Sequence, residues 1–202
     1  MAVTLRPGLA LDSLRRSLMM SNMATRRAIA AIGKSIVGLL GEECPKAEFP
    51  SATFKLCQPS AFRRPKGLRF GISLCLYRVS FDTAQRNPPT RVTASAEPRQ
   101  RPSLPLNLHF LLSSWATIPE RQYDLRGWAM CVLDENPVFS AGLLNRFAGG
   151  TSEVFGQQEN VEVVPANLDI EQMKAVSELV QIRQQPSIAY VARPVAIQNL
   201  SG

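Results

Sequence analysis

Leu104-Pro105-Leu106-Asn107-Leu108-His109-Phe110-Leu111-Leu112 is the stretch whose reading decides the fold. Leucine or phenylalanine stands at every second position from 104 to 112. That is the two-residue period of a strand with one face on a core. His109 falls on the opposite face, beside Asn107 and Leu111. Upstream, residues 69–79 alternate in the same way. Phe70, Ile72, Leu74 and Leu76 share one face, and Gly71, Ser73, Cys75, Tyr77 and Val79 share the other. Between the two strands, residues 82–103 are polar, with Pro88, Pro89, Pro98 and Pro102 and four arginines. A connection this long without periodicity is usually functional or mobile, so it reads as a long loop that orders on assembly.

Outward from this pair the periodicity changes to helical. Residues 25–40 carry Ile29, Ile32, Ile36, Leu39 and Leu40 on one face, with Gly41 as the expected stop. A connector around Pro45 and Pro50 leads to a short strand over 51–57 and then to the basic loop Arg63-Arg64-Pro65-Lys66-Gly67. A helix over 119–134 places Leu125, Trp128, Ala129, Val132 and Leu133 inward, with Pro119 in its first turn and Pro137 ending the run. Residues 140–160, with Gly149, Gly150 and Gly156, read as a second long loop before a strand over 161–164. Asp169 and Gln172 form a capping box, stapled by Leu168 and Met173, that starts a helix to about 181. The last strand spans 187–197, where Pro194 marks a sheet edge or a bulge.

The order α-β-β-β-α-β-α-β predicts an α+β fold. It is a single domain over 23–198, a mixed β-sheet flanked by helices. Residues 1–22 read as a disordered or dispensable leader, with Met19, Met20 and Met23 as alternative starts. A basic, acid-poor targeting segment is the other reading of that leader, though it is short of serine.

Composition excludes several function classes. The 202 residues are 45% hydrophobic and 19% charged, which suits one domain with a real core. No apolar run reaches the length of a membrane-spanning helix. Four cysteines, at 44, 57, 75 and 131, form no C-x-x-C pair, and there is one histidine, so no metal or cofactor is expected. Cys75 and Cys131 lie in apolar runs and read as small buried hydrophobes. The net charge of +7 is lopsided: residues 1–102 carry +11 and residues 103–202 carry −4. A solvated basic face explains this, and so does head-to-tail association of subunits.

No catalytic constellation emerges. Ala28-Ile29-Ala30-Ala31-Ile32-Gly33-Lys34-Ser35 resembles a degenerate phosphate loop, and Ala129 to Asp134 imitate the apolar run that would end on a magnesium ligand. A phosphate loop needs a strand before it and backbone N–H groups free to cradle phosphates. Here a helical stripe runs straight through Gly33, and Asp134 falls at a helix end. His109 has no nucleophile motif to serve. The sequence therefore reads as no enzyme, without a small-molecule substrate. A basic nucleic-acid-binding module is the alternative, drawn from the arginines of the two basic loops with Phe62 and Phe70 for stacking. No RNA- or DNA-binding signature accompanies them.

Five stretches resemble the Pvc16-type tail terminators of contractile injection systems. They are the helix over 28–40; Leu76-Tyr77-Arg78-Val79 with Arg86-Asn87; the strand over 104–112, with Phe110 where tyrosine is usual; Leu125-Arg126-Gly127-Trp128-Ala129-Met130 with Asn136-Pro137-Val138; and Pro186 to Tyr190 with Arg193-Pro194-Val195. Residues 1–22 have no counterpart, and Ser177 stands near where the family carries tryptophan. The resemblance implies a structural cap that ends tube and sheath polymerisation at the distal end of a phage-tail-like particle. It implies a ring, usually a homohexamer, with inner-tube and sheath subunits as partners. It also implies cytoplasmic assembly and no direct membrane insertion. On this reading the assembly contacts fall to the basic loops: Arg63, Arg64, Lys66, Arg86, Asn87, Arg91 and Arg99, with His109 added.

Overall fold

The computed structural model describes residues 24–62, 65–82, 103–150, 153–182 and 185–197. Helix α1 (Ala28–Glu43) leads to strand β1 (Thr53–Cys57), the short helix α2 (Pro59–Phe62) and strands β2 (Gly71–Phe81) and β3 (Leu104–Trp115). Helix α3 (Pro119–Glu135), strand β4 (Val138–Ser140), helix α4 (Ala141–Ala148), strand β5 (Asn160–Pro165), helix α5 (Ile170–Leu179) and strand β6 (Ser187–Ile197) follow. The strands form one six-stranded sheet in the order β1-β2-β3-β6-β5-β4. Only β1 and β2 pair in parallel; every other neighbour is antiparallel. This is the expected α+β fold with a mixed sheet.

The alternation of β3 works on both faces. Leu104, Leu106, Leu108, Phe110 and Leu112 join the main core with Ile72 and Leu74, under α1, α3 and α4. Leu111 joins a smaller core on the other face with Phe62, Cys75, Val180, Ile182 and Ala189. Helix α5 buries no residue of its own and lays half-buried Met173 and Val176 on that second core. Packing rather than capping holds α1. Its N-cap, Arg27, makes no side-chain cap, a loss of about 1 kcal/mol. Ile32, Ile36, Leu39 and Leu40 are buried, each contributing about 1.5–3 kcal/mol, so burial dominates.

Four expectations change, and one open alternative, at Pro194, is decided. Residues 140–160 are not one loop, because β4 closes the sheet and α4 packs on α1. Ser140 caps α4, its Oγ accepting from the Leu143 N–H, and at 8 residues α4 is too short to print a clear period. The four-residue helix α2 also lies where no helix was expected. Gly41 does not stop α1, which runs on to Glu43 before Pro45; a methyl group added at Gly41 would meet Phe54 at 3.7 Å. Pro194 marks a bulge rather than an edge: β6 lies inside the sheet, and Arg193 and Pro194 are the residues skipped between Ala192 and Val195 in its pairing with β3. Cys131 is exposed, because the buried stripe of α3 turns it outward. The expected capping box at Asp169 and Gln172 is present, with both of its hydrogen bonds.

Candidate assembly surface

The residues of the phosphate-loop look-alike are occupied with packing. Gly33 lies within the unbroken α1, over the Leu56 side chain. Lys34 Nζ donates to the Ala148 carbonyl at 3.3 Å, at the C-terminal end of α4, where a cation meets the helix dipole favourably. Ser35 Oγ donates back to the Ala31 carbonyl at 2.9 Å and approaches the Leu144 carbonyl at 3.4 Å. Lys34 and Ser35 serve the α1–α4 contact, and Gly33 serves the packing of α1 on the sheet. Asp134 is exposed near the end of α3.

Of the expected contact residues, Lys66 and His109 lie among the described residues; Arg63, Arg64, Arg86, Asn87, Arg91 and Arg99 lie outside them. Lys66 is exposed, and its carbonyl accepts from Lys55 Nζ at 2.7 Å, which ties the basic loop to β1. His109 belongs to a separate neighbourhood. It is half-buried on β3, with Nε2 at 2.9 Å from Ser80 Oγ and its ring 6.0 Å from the Tyr77 ring. Two bulges lie near it: Tyr77 is the extra residue between β2 and β3, and the Arg193–Pro194 bulge of β6 lies opposite Asn107, two residues along. Burial pushes the His109 pKa below its ordinary 6.5, and Arg78, its register partner, pushes in the same direction. The imidazole is thus held neutral, as a hydrogen-bonding group rather than a contact for anions.

Sequence reasoning passed over Lys55, Arg78 and the exposed apolar residues of the sheet margins. Arg78 had a signal, since it sits inside the Leu76 to Val79 stretch. Lys55 had none, because a single lysine in a short strand is unremarkable. Val79 is 45% exposed and Val138 52% exposed, and these lie on the β2 and β4 sides of the sheet.

Deep chemistry is sparse among the described residues. No cluster of three or more His, Cys, Asp or Glu side chains with metal-site geometry occurs there. A recess of about 230 Å³ lies between Ala24, Phe155, Val161 and Pro194, with Glu159 at its wall. Glu159 accepts from the Ala24 N–H at 2.8 Å and the Gly156 N–H at 2.7 Å. Burial raises its pKa, and those two bonds oppose the rise. The carboxylate pins the chain entering α1 to the 154–159 turn. Asn145 holds the same turn, accepting from Val154 and Phe155 and donating to the Phe155 carbonyl, each at 2.9 Å.

A solved structure described as the sheath/tube terminator of an extracellular contractile injection system, PVC, in the extended state, matches with a TM-score of 0.53 at 16% identity. The match covers 88% of this chain and 58% of that one, so this chain corresponds to little more than half of the larger protein. The tube-terminating cap of the anti-feeding prophage also matches, at 14% identity and a TM-score of 0.41 over 64% of this chain and 44% of that one. No curated protein matches. The family model described as the Pvc16 N-terminal domain matches residues 31–201. With nearly the whole described fold inside that match, the chain belongs to the Pvc16 N-terminal domain family.

Proposed function

We propose that this protein is a structural, non-catalytic terminator, which ends tube and sheath polymerisation at the distal end of a contractile injection particle. The family match over residues 31–201 carries this reading, and the fold shared with a sheath/tube terminator supports it. It acts as a ring of identical subunits, a homohexamer, assembled in the cytoplasm on the last tube and sheath rings. The physics of capping requires one face that complements the growing end and another that refuses the next subunit. The basic loops around Lys66 and over 82–103 supply the first of these, through Arg63, Arg64, Arg86, Asn87, Arg91 and Arg99. His109 contributes by fixing the bulged β2–β3 margin from which the second loop departs. The engaged Lys34 and Ser35 leave a nucleotide-binding reading without support.

End-labelling tests this directly. Gold-tagged protein added to assembled tube-and-sheath particles that lack it should decorate one end in electron micrographs. Decoration along the length, or none, would contradict the reading.

A further inference from the structure

The two margins of the sheet carry opposite charge. From Thr53 to Phe81 the chain holds six Lys and Arg residues and no acid. Strands β1 and β2 build one margin of the sheet, where Lys55, Arg69 and Arg78 are exposed or half-exposed; Arg63, Arg64 and Lys66, between the strands, are the residues assigned above to the growing end. From Val132 to Pro165 the chain holds five acids and one base. These segments build the β4–β5 margin at the other end of the sheet, where Asp134, Glu135, Glu153 and Glu162 are exposed. The one base there, Arg146, is engaged with Glu42 at 2.6 Å. Arg193 stands opposite Glu162 in register, and Lys34 and Arg27 of the α1 end reach the Ala148 and Gly149 carbonyls, so the margin keeps a smaller acidic excess, carried by Asp134, Glu135 and Glu162.

Side-chain direction agrees with the charges for the strand residues, while Asp134 and Glu135 sit at the end of α3 on the main-core side. Lys55 pairs with Ser73, and Arg78 with His109, which places both on the face of the smaller core. Glu162 lies between Val161 and Val163, which enter the main core, so it also points to the smaller-core face. Among the described residues no strand lies outside β1 or β4, and β2 has no outer strand beyond Cys75. Open strand edges are pairing templates unless they are covered. Leu56 at 39% and Val79 at 45% exposure on one margin, and Val138 at 52% on the other, add apolar area.

We infer that the β1–β2 margin of one copy docks against the β4–β5 margin of the next copy, head to tail. Lys55 and Arg78 then face Glu135 and Glu162 of the neighbour. A heterologous contact of this kind closes into a ring when its rotation allows. The inference rests on the ring proposed above and specifies which surfaces make it.

The test is sedimentation of the full chain at low and high salt, with two charge-reversed variants. One is Lys55→Glu/Arg78→Glu, and the other is Glu135→Lys/Glu162→Lys. The wild type should form a ring that weakens with salt, as screened charge pairs do. Each variant alone should associate at least roughly tenfold more weakly. Mixed in equal amounts, they should recover the ring, because each reversed margin then meets a complementary one. Recovery also shows that both variants are folded. A wild-type ring unaffected by either reversal overturns this inference alone, as does loss of association that mixing fails to restore. A wild type that stays monomeric overturns the ring and the inference together.

Discussion

His109 sits near two bulges of the sheet, bonded to Ser80 and close to Tyr77. Because its folded pKa lies below 6.5, the unfolded chain takes up the proton first on acidification. Stability from this site is therefore complete above about pH 6.5 and declines below it. Glu159 has the opposite sign: its raised pKa lets the folded state take its proton first, which adds stability as pH falls through that pKa toward 4.5. Comparison with His109→Gln isolates the histidine. Between about pH 7.5 and 5.5 the wild type should lose more stability in urea titrations than His109→Gln does. Equal losses would show a solvated imidazole. The sequence placed His109 on the correct face of its strand. It could not show the Ser80 contact, because a bulge at Tyr77 resets the register and nothing in the Leu76 to Val79 stretch announces an extra residue.

Helices α1 and α4 meet through a missing side chain. A methyl group on Gly38 would fall onto the Phe147 ring. Alanine would gain about 1 kcal/mol of helix propensity, but displacing the ring costs about 1–3 kcal/mol. Gly38→Ala should therefore lower stability by about 1 kcal/mol net, read as a shifted urea midpoint. With Phe147→Ala as background the same change should stabilise. A penalty that persists there would mean that α1 resists alanine for another reason. Element by element, long periodic runs were legible: α1, β2, β3, α3 and β6 lie close to where their apolar spacing puts them. The capping box of α5 was legible too, since its chemistry is local. What escaped was short. Helices α2 and α4 and strand β4 span 4, 8 and 3 residues, and their partners are remote in sequence. The order β6-β5-β4 at one side of the sheet is likewise a tertiary fact, and no local pattern encodes it.

At the scale of the whole molecule, charge and topology coincide. The charge bias of the two sequence halves persists at the sheet margins, although the fold mixes it between α1 and α4, where Lys34 reaches the Ala148 carbonyl and Glu42 pairs with Arg146. The strand order sends the basic β1–β2 segments to one margin and the acidic β4–β5 segments to the other. A molecule so polarised favours head-to-tail contacts over two-fold ones, because like margins repel. A ring built that way satisfies its lateral surfaces with itself and leaves its two ends free. On the proposed function, one end then meets the tube and sheath, and the other presents no growth surface.

If this protein stops growth, as proposed, particle length measures it directly. Electron micrographs of particles from cells lacking the protein should show a broad, open-ended spread of tube and sheath lengths, with a single length restored on re-expression. Particles of one uniform, capped length in its absence would contradict the claim.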